Sequence, residues 1–225
     1  MIHMGLVSVT FRQLKPEEII KLVSKAGLEG IEWGGDIHVP HGAVKRAKEV
    51  GRMTCEEGLK VAAYGSYYRA GCENKDIGSF ERVLETAVEL NAPIIRVWAG
   101  NKGSAAADER MWDSVVEDSR KIGDLAKEAG IKIVFEYHGG TLTDTDKSAR
   151  KLLGDVNSPN VRSYWQPAVD RTPEQRLADL KNIMPYLEGI HVFHWEGNNR
   201  LPFAEGKSDW LKYLKQASQK KEDFF

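Results

Sequence analysis

Three short segments carry side chains able to bind a cation or move a proton. Val134-Phe135-Glu136-Tyr137-His138 puts a carboxylate two residues before an imidazole. In an extended strand alternate side chains share a face, so Val134, Glu136 and His138 lie on one side, with Phe135 and Tyr137 on the other. His191-Val192-Phe193-His194-Trp195-Glu196 has two histidines three positions apart, which a regular strand sends to opposite faces. Only one can enter a shared site. His194, nearer the C-terminal end, is the expected one, with His191 left as a hydrogen-bonded core histidine. Tyr164-Trp165-Gln166-Pro167 adds an amide oxygen at the corresponding height. Carboxylate, amide and imidazole without thiolate suit Mn²⁺, Mg²⁺ or Co²⁺, with Zn²⁺ a further candidate. A lone carboxylate in a crowded, poorly solvated place needs a cation or a proton, so Glu136 has a second reading as the structural partner of Arg96 or another buried base.

The elements that would position these groups repeat. Strands are expected at Gly5–Val9, Gly30–Gly34, Lys60–Gly65, Ile94–Gly100, Lys132–His138, Val161–Pro167 and Ile190–Trp195. Between them run amphipathic stretches with helical period. Ile19, Val23 and Ala26 follow Pro16; Phe80, Val83, Leu84, Ala87 and Val88 make the next clear stripe; Trp112, Val115, Val116, Ile122, Leu125, Ala126 and Ala129 make a third; Leu177, Leu180, Ile183 and Met184 follow Pro173. Gly27, Gly58 and Gly130 each stand where a helix must stop before a strand begins. Strand alternating with helix at roughly thirty residues means βαβ units and a parallel sheet. After Val9 the chain reads Thr10-Phe11-Arg12-Gln13-Leu14-Lys15, with no glycine-rich nucleotide loop. The polar strand ends therefore favour a barrel with its site at the C-terminal face, in a single domain over residues 1–225.

Composition narrows the partners. With 32 Lys plus Arg against 33 Asp plus Glu, the formal net charge is −1, which gives nucleic acid no electrostatic footing. Cys55 and Cys72 match no metal or redox spacing, so a reducing cytoplasm is the expected location. No apolar run approaches a membrane span.

The order of Glu136, Gln166 and His194, with Gly30-Ile31-Glu32-Trp33-Gly34-Gly35 early in the chain and Asn198-Asn199-Arg200 after strand seven, resembles the xylose-isomerase-like TIM-barrel family. That family includes sugar and sugar-phosphate isomerases, ketose 3-epimerases, hydroxypyruvate isomerases, inosose dehydratases and endonuclease IV. The resemblance covers nearly the whole chain. It implies a (β/α)8 TIM barrel and one divalent metal, Mn²⁺ first among the candidates, held by Glu136, Gln166 and His194. Glu136 would also be the catalytic base, and Arg200 would contact substrate oxygens. The implied activity is sugar or sugar-phosphate isomerisation or epimerisation through an enediolate. An inosose-dehydratase-like elimination shares the first step, and a sugar-binding barrel without turnover is the rival from outside enzymology. Val169 stands where the epimerases carry a second histidine, Gln166 stands for an aspartate, and Glu196 follows His194 at two residues instead of three; these departures weigh against a plain 3-epimerase. An endonuclease-like set of three zinc ions fits six histidines poorly.

Polar and aromatic loop residues at the same end suit a hydroxyl-rich small molecule. His38, His138, Trp33 and Trp98 are the expected substrate contacts beside Arg200, with Tyr67, Tyr68 and Asn101 nearby and His41 and Arg69 read as solvated. A sugar is thus the expected partner, with a homo-oligomer allowed. A complete barrel takes about 250 residues. The strand spacing puts an eighth strand near residue 223, so the closing Phe224-Phe225 is read as its first step and the last βα unit as missing.

Overall fold

Helix-stop residues set the repeat. Gly27, Gly58 and Gly130 take φ of 70°, 79° and 71°, a left-handed conformation that costs glycine nothing, and each turns the chain from a helix into the next strand. Asn91 and Asn157 serve the same purpose at φ of 61° and 49°, as asparagine tolerates that region better than other side chains. The computed structural model of the protein describes residues 1–225. Its strands are β1 (Gly5–Val7), β2 (Gly30–Gly34), β3 (Lys60–Ala70), β4 (Ile94–Ala99), β5 (Lys132–Phe135), β6 (Val161–Trp165) and β7 (Leu187–Ile190). The helices are α1 (Pro16–Lys25), α2 (Val44–Glu56), α3 (Phe80–Leu90), α4 (Glu109–Glu128), α5 (Asp146–Val156), α6 (Pro173–Ile183) and α7 (Lys207–Ala217). A small antiparallel hairpin, β8 (Trp195–Glu196) and β9 (Asn199–Arg200), follows β7.

The seven main strands form one parallel sheet in chain order, the arrangement expected of successive right-handed βαβ units. The helices cover its outer face. Ile31, Trp33, Ile95, Ile133, Phe135 and Trp165 are fully buried in the main apolar core with Ile19, Leu90, Ile122 and Leu152 of the helices. A smaller cluster of Ala63, Val134 and Tyr164 fills the inside of the curl.

The chain end supplies the start of an eighth strand. Phe224 bridges Ile2 in parallel register, and the Ile190 amide donates to the Phe225 carbonyl. The Phe225 ring lies against Gly5 and Gly30, where a Cβ would come within 3.1 and 2.6 Å of it. The reading of Phe224-Phe225 as the first step of strand eight is borne out. Beyond that step β1 and β7 stand on opposite sides of a cavity.

Strand seven differs from the expectation in a way that matters. It runs over Leu187–Ile190, three residues earlier than the apolar run Ile190–Trp195 suggests. Gly189 sits in its middle because the Tyr164 ring occupies the barrel interior, 2.5 Å from where a Cβ would be. A strand containing Glu188 and Gly189 looks weak in sequence, whereas the stronger-looking Phe193 and Trp195 belong to the loop and hairpin that pack toward α7, with Trp210 Nε1 donating to the Phe193 carbonyl.

Candidate active site

Four ionisable side chains meet at the C-terminal end of the curled sheet, one each from β2, β4, and the residues that follow β5 and β7. Alternation along β4 sends Arg96 inward between the outward Ile95 and Val97. Its Nε donates to Glu32 Oε1 at 2.6 Å, and its Nη1 donates to Glu136 Oε2. Trp98 Nε1 donates to that same Glu136 oxygen at 2.6 Å. His191 Nε2 lies 3.0 Å from Glu32 Oε2, and its Nδ1 lies 3.8 Å from Glu136 Oε1. All four side chains are buried.

Burial penalises every charge in this group, and the outcome depends on the partners. Burial alone would push the Glu136 carboxyl up, but the Arg96 guanidinium, with help from His191 and Trp98, holds it well below the usual carboxylate range. Glu32 is lowered in the same way by Arg96 and His191. Burial alone would lower His191, yet the charges of Glu32 and Glu136 raise it to about 9. Near neutral pH the site therefore holds two carboxylates, one guanidinium and one imidazolium, and its formal charge is zero.

The floor is built to seat Arg96. A Cβ on Gly65 would stand 2.6 Å from Arg96 Nη2 and 2.9 Å from Glu32 Oε1, so glycine is what lets the pair pass β3. The Tyr67 ring covers the guanidinium at 4.7 Å. Tyr67 itself has φ of 58°, an uncommon and strained conformation for an aromatic residue of the kind that clusters at functional sites. Above this floor opens a cavity of about 410 Å³ lined by Val9, Thr10, Tyr67, Trp98, His138, Phe193 and Arg200. His138 stacks on Trp98 with centroids 4.9 Å apart, and the Arg69 guanidinium lies 4.0 Å from the centroid of that indole. An adjoining lobe of about 520 Å³ shares Glu136 and His138 and adds Gln166, whose Oε1 is buried without a hydrogen-bond partner.

Glu136, Gln166, His138, Trp98 and Arg200 thus line connected space, while three expected residues do not. His194 lies against the turn at Gly206, where a Cβ would come within 2.5 Å of its ring. Strand seven ends at Ile190, so His191 is the histidine that points inward, the placement expected of His194. Trp33 faces the helices and donates to Thr54 Oγ1 of α2 at 3.2 Å, fully buried and out of a substrate's reach. His38 is buried behind the 3₁₀ turn that follows β1, its Nδ1 2.9 Å from Ser8 Oγ, which in turn accepts from the Gly34 amide. It braces the β1 and β2 ends and lines neither lobe. His41 and Arg69, expected in solvent, are half-buried, His41 through Tyr64 Oη at 2.7 Å and Arg69 through the Gly100 carbonyl. Glu32 went unread as a site residue, though a lone carboxylate and a lone guanidinium inside otherwise apolar strands are a signal that two such strands share a buried pair.

The match to a family model settles what kind of barrel this is. Residues 20–222 fit the model described as xylose isomerase-like TIM barrel. The chain belongs to that family. Among the curated members it is 27% identical over 206 residues to a 3-dehydroshikimate dehydratase of Bacillus anthracis, covering 83% of this chain and 70% of the relative. To an inosose dehydratase of Clostridium perfringens it is 26% identical over 214 residues, covering 88% and 69%. The probable 3-DHS dehydratase structure from Bacillus anthracis superposes with a TM-score of 0.81 at 18% identity, over 99% of this chain and 91% of that one. A family structure from Mycobacterium smegmatis in complex with magnesium superposes at 0.69 and 17% identity, over 96% and 86%. These likenesses show the fold, and the relatives named include dehydratases and a 3-keto-D-glucoside 4-epimerase. No helix of the chain is long and apolar enough to cross a membrane.

The metal site implied by the resemblance does not fit the donors present. Glu136 Oε2 is taken by Arg96 and Trp98, Glu32 spends both oxygens on Arg96 and His191, and His191 Nε2 is engaged by Glu32. His194 is elsewhere. Gln166 Oε1 and Glu136 Oε1 are the open oxygens of the adjoining lobe, and no group of three or more His, Cys, Asp or Glu side chains is arranged to hold a metal ion beside them.

Proposed function

We propose that the protein is an enzyme that removes a proton from carbon next to a carbonyl in a small hydroxylated molecule, and that the enolate so formed loses a neighbouring hydroxyl as water. The observation that carries this reading is the juxtaposition of an ionised Glu136 and a protonated His191 on one cavity floor, Oε1 and Nδ1 3.8 Å apart. Neighbouring groups held in opposite protonation states are what acid–base catalysis needs. Glu136 Oε1, the oxygen not used by Arg96 or Trp98, accepts the carbon-bound proton. His191 gives its proton to the developing oxyanion or to the departing hydroxyl. Burial in a poorly solvated floor strengthens both interactions.

Arg200 and His138 at the rim, with the faces of Trp98 and Phe193, suit hydroxyls and a planar carbonyl region of the substrate. Gln166 Oε1 awaits a donor, and a substrate hydroxyl is the group that would satisfy it. Elimination is favoured over epimerisation by the two named dehydratase relatives and by the departures at Val169 and Gln166. Epimerisation ordinarily needs an acid–base group on each face of the carbon, and this floor gathers both on one side.

The test is proton NMR in heavy water with inososes, 3-dehydroshikimate and a panel of ketoses. Loss of a carbon-bound proton signal next to the carbonyl, followed by the signals of an unsaturated product, is the expected result. The rate should fall above about pH 9, where His191 gives up its proton. Exchange into an inverted but still saturated product would point to epimerisation. A folded protein that exchanges no proton in any of these compounds would leave a binding role.

A further inference from the structure

We infer that Arg176 is a positioning residue: it clasps the two loops that wall the adjoining lobe of about 520 Å³, fixes the gap between them, and so limits what part of a substrate the lobe admits. That the lobe receives substrate rests on the function proposed above; that Arg176 joins the loops does not.

Arg96 and Arg176 are the two buried arginines of the chain, and their surroundings differ. Arg96 has carboxylates as partners. Arg176, 6% exposed, forms no ion pair, and its guanidinium donates to carbonyl oxygens instead, from Nε to Ala168 at 2.8 Å and from Nη1 to Trp195 at 3.3 Å. A buried charge without a counter-charge is costly, and an apolar side chain of similar volume would serve stability as well or better. What a guanidinium adds is a rigid plane of donors that can hold two acceptors at a fixed separation.

The two carbonyls belong to different loops of the same lobe. Residues 166–170, after β6, line it together with Phe193 and Trp195 from the segment after β7. The ladder between β6 and β7 ends at Trp165 and Ile190, and the His191 amide makes one more bond, to the Trp165 carbonyl. Past that point the two segments separate, and Arg176 is bonded to both. Trp195 pairs with Arg200, so fixing its carbonyl also fixes the β8–β9 hairpin. The clasp has a firm base. α6 opens with Pro173 and a capping box between Thr172 and Gln175, and Tyr213 Oη of α7 donates to the Pro173 carbonyl at 3.3 Å. A long side chain in the first turn leans back toward the helix N-terminus, which brings the guanidinium over the loop before α6.

The experiment treats the intact chain with trypsin under native conditions and locates the cuts by mass spectrometry. Each loop carries a site of its own, after Arg171 and after Arg200. Native-state cleavage follows the population of the locally opened chain, so loss of the charged donor in Arg176→Gln should speed both cuts by about tenfold or more, while cuts in α4 keep the wild-type rate. Arg176→Lys, whose one ammonium does not span two carbonyls, should fall between, and it decides the matter if the glutamine variant is unfolded by circular dichroism. Wild-type rates at both loops in the folded variants, or a rise shared equally by α4, would overturn the inference, the second because it marks general destabilisation. With a compound that wild type turns over, Arg176→Lys should raise KM roughly tenfold and leave kcat nearly unchanged; a fall in kcat at unchanged KM would overturn the role assigned to the gap. Absence of turnover by wild type in every compound would count against the proposed reaction, while the tryptic cuts still decide whether Arg176 is the clasp.

Discussion

Replacing Arg96 by methionine is expected to destabilise the fold by about 3–5 kcal/mol, measured as a lowered midpoint in urea unfolding at pH 7.5. Methionine fills much of the volume, so the loss is electrostatic. Glu32 and Glu136 would face each other across the floor with only His191 to offset them, leaving one buried charge uncompensated. Adding Glu32→Gln to the same chain restores formal neutrality, because Glu136 and protonated His191 then balance, and a large part of the loss should return. A coupling of this kind is what a double-mutant cycle isolates. If Arg96→Met unfolds at the wild-type urea concentration, the four-group floor is not what holds the strand ends together.

Glu136→Gln is expected to reduce proton exchange at the substrate carbon by about 10²–10⁴-fold while the chain stays folded. The amide keeps the shape and can still accept from Trp98 Nε1, but it cannot take up a proton. It also removes one of the two charges that keep His191 protonated, so residual exchange should decline at a lower pH than in wild type. Folding is read separately by circular dichroism and thermal midpoint. A folded Glu136→Gln protein exchanging at the wild-type rate would remove Glu136 from the chemistry and leave it as Arg96's structural partner, the second reading its sequence context always allowed.

The fold was largely legible because its signals are local. Helix-stopping glycines, amphipathic stripes and β-branched strands fix the βα repeat, and even the closing Phe224-Phe225 could be placed by spacing. Glu136 was legible as a buried carboxylate needing a cation, and Arg96 was legible as one candidate to supply it. The failures share a cause. Strand seven was read from its most apolar stretch, but its position is set by a contact invisible in sequence, the Tyr164 ring filling the barrel beside Gly189. The resulting three-residue displacement brought His191 inside and sent His194 to the turn at Gly206. Trp33 was misplaced for a related reason. Its neighbour Glu32 faces the axis, so alternation puts Trp33 among the helices, and only the pairing of Glu32 with Arg96 reveals which of the two points inward.

Protonation of His191 also ties stability to pH. Its pKa is raised on folding, from an ordinary value of 6.5 to about 9. The stabilisation is fully present below the unfolded value and is lost as pH rises through the folded one, a difference on the order of 3 kcal/mol. The most direct test of the whole site is therefore the charge state of that ring. Nitrogen-15 NMR of imidazole-labelled protein, with the His191 resonances assigned by their absence in His191→Gln, should show both ring nitrogens protonated at pH 7.5 and a titration centred near 9. A His191 ring present as a single neutral tautomer at pH 7.5 would contradict the neutral floor, and with it the acid that the proposed reaction requires.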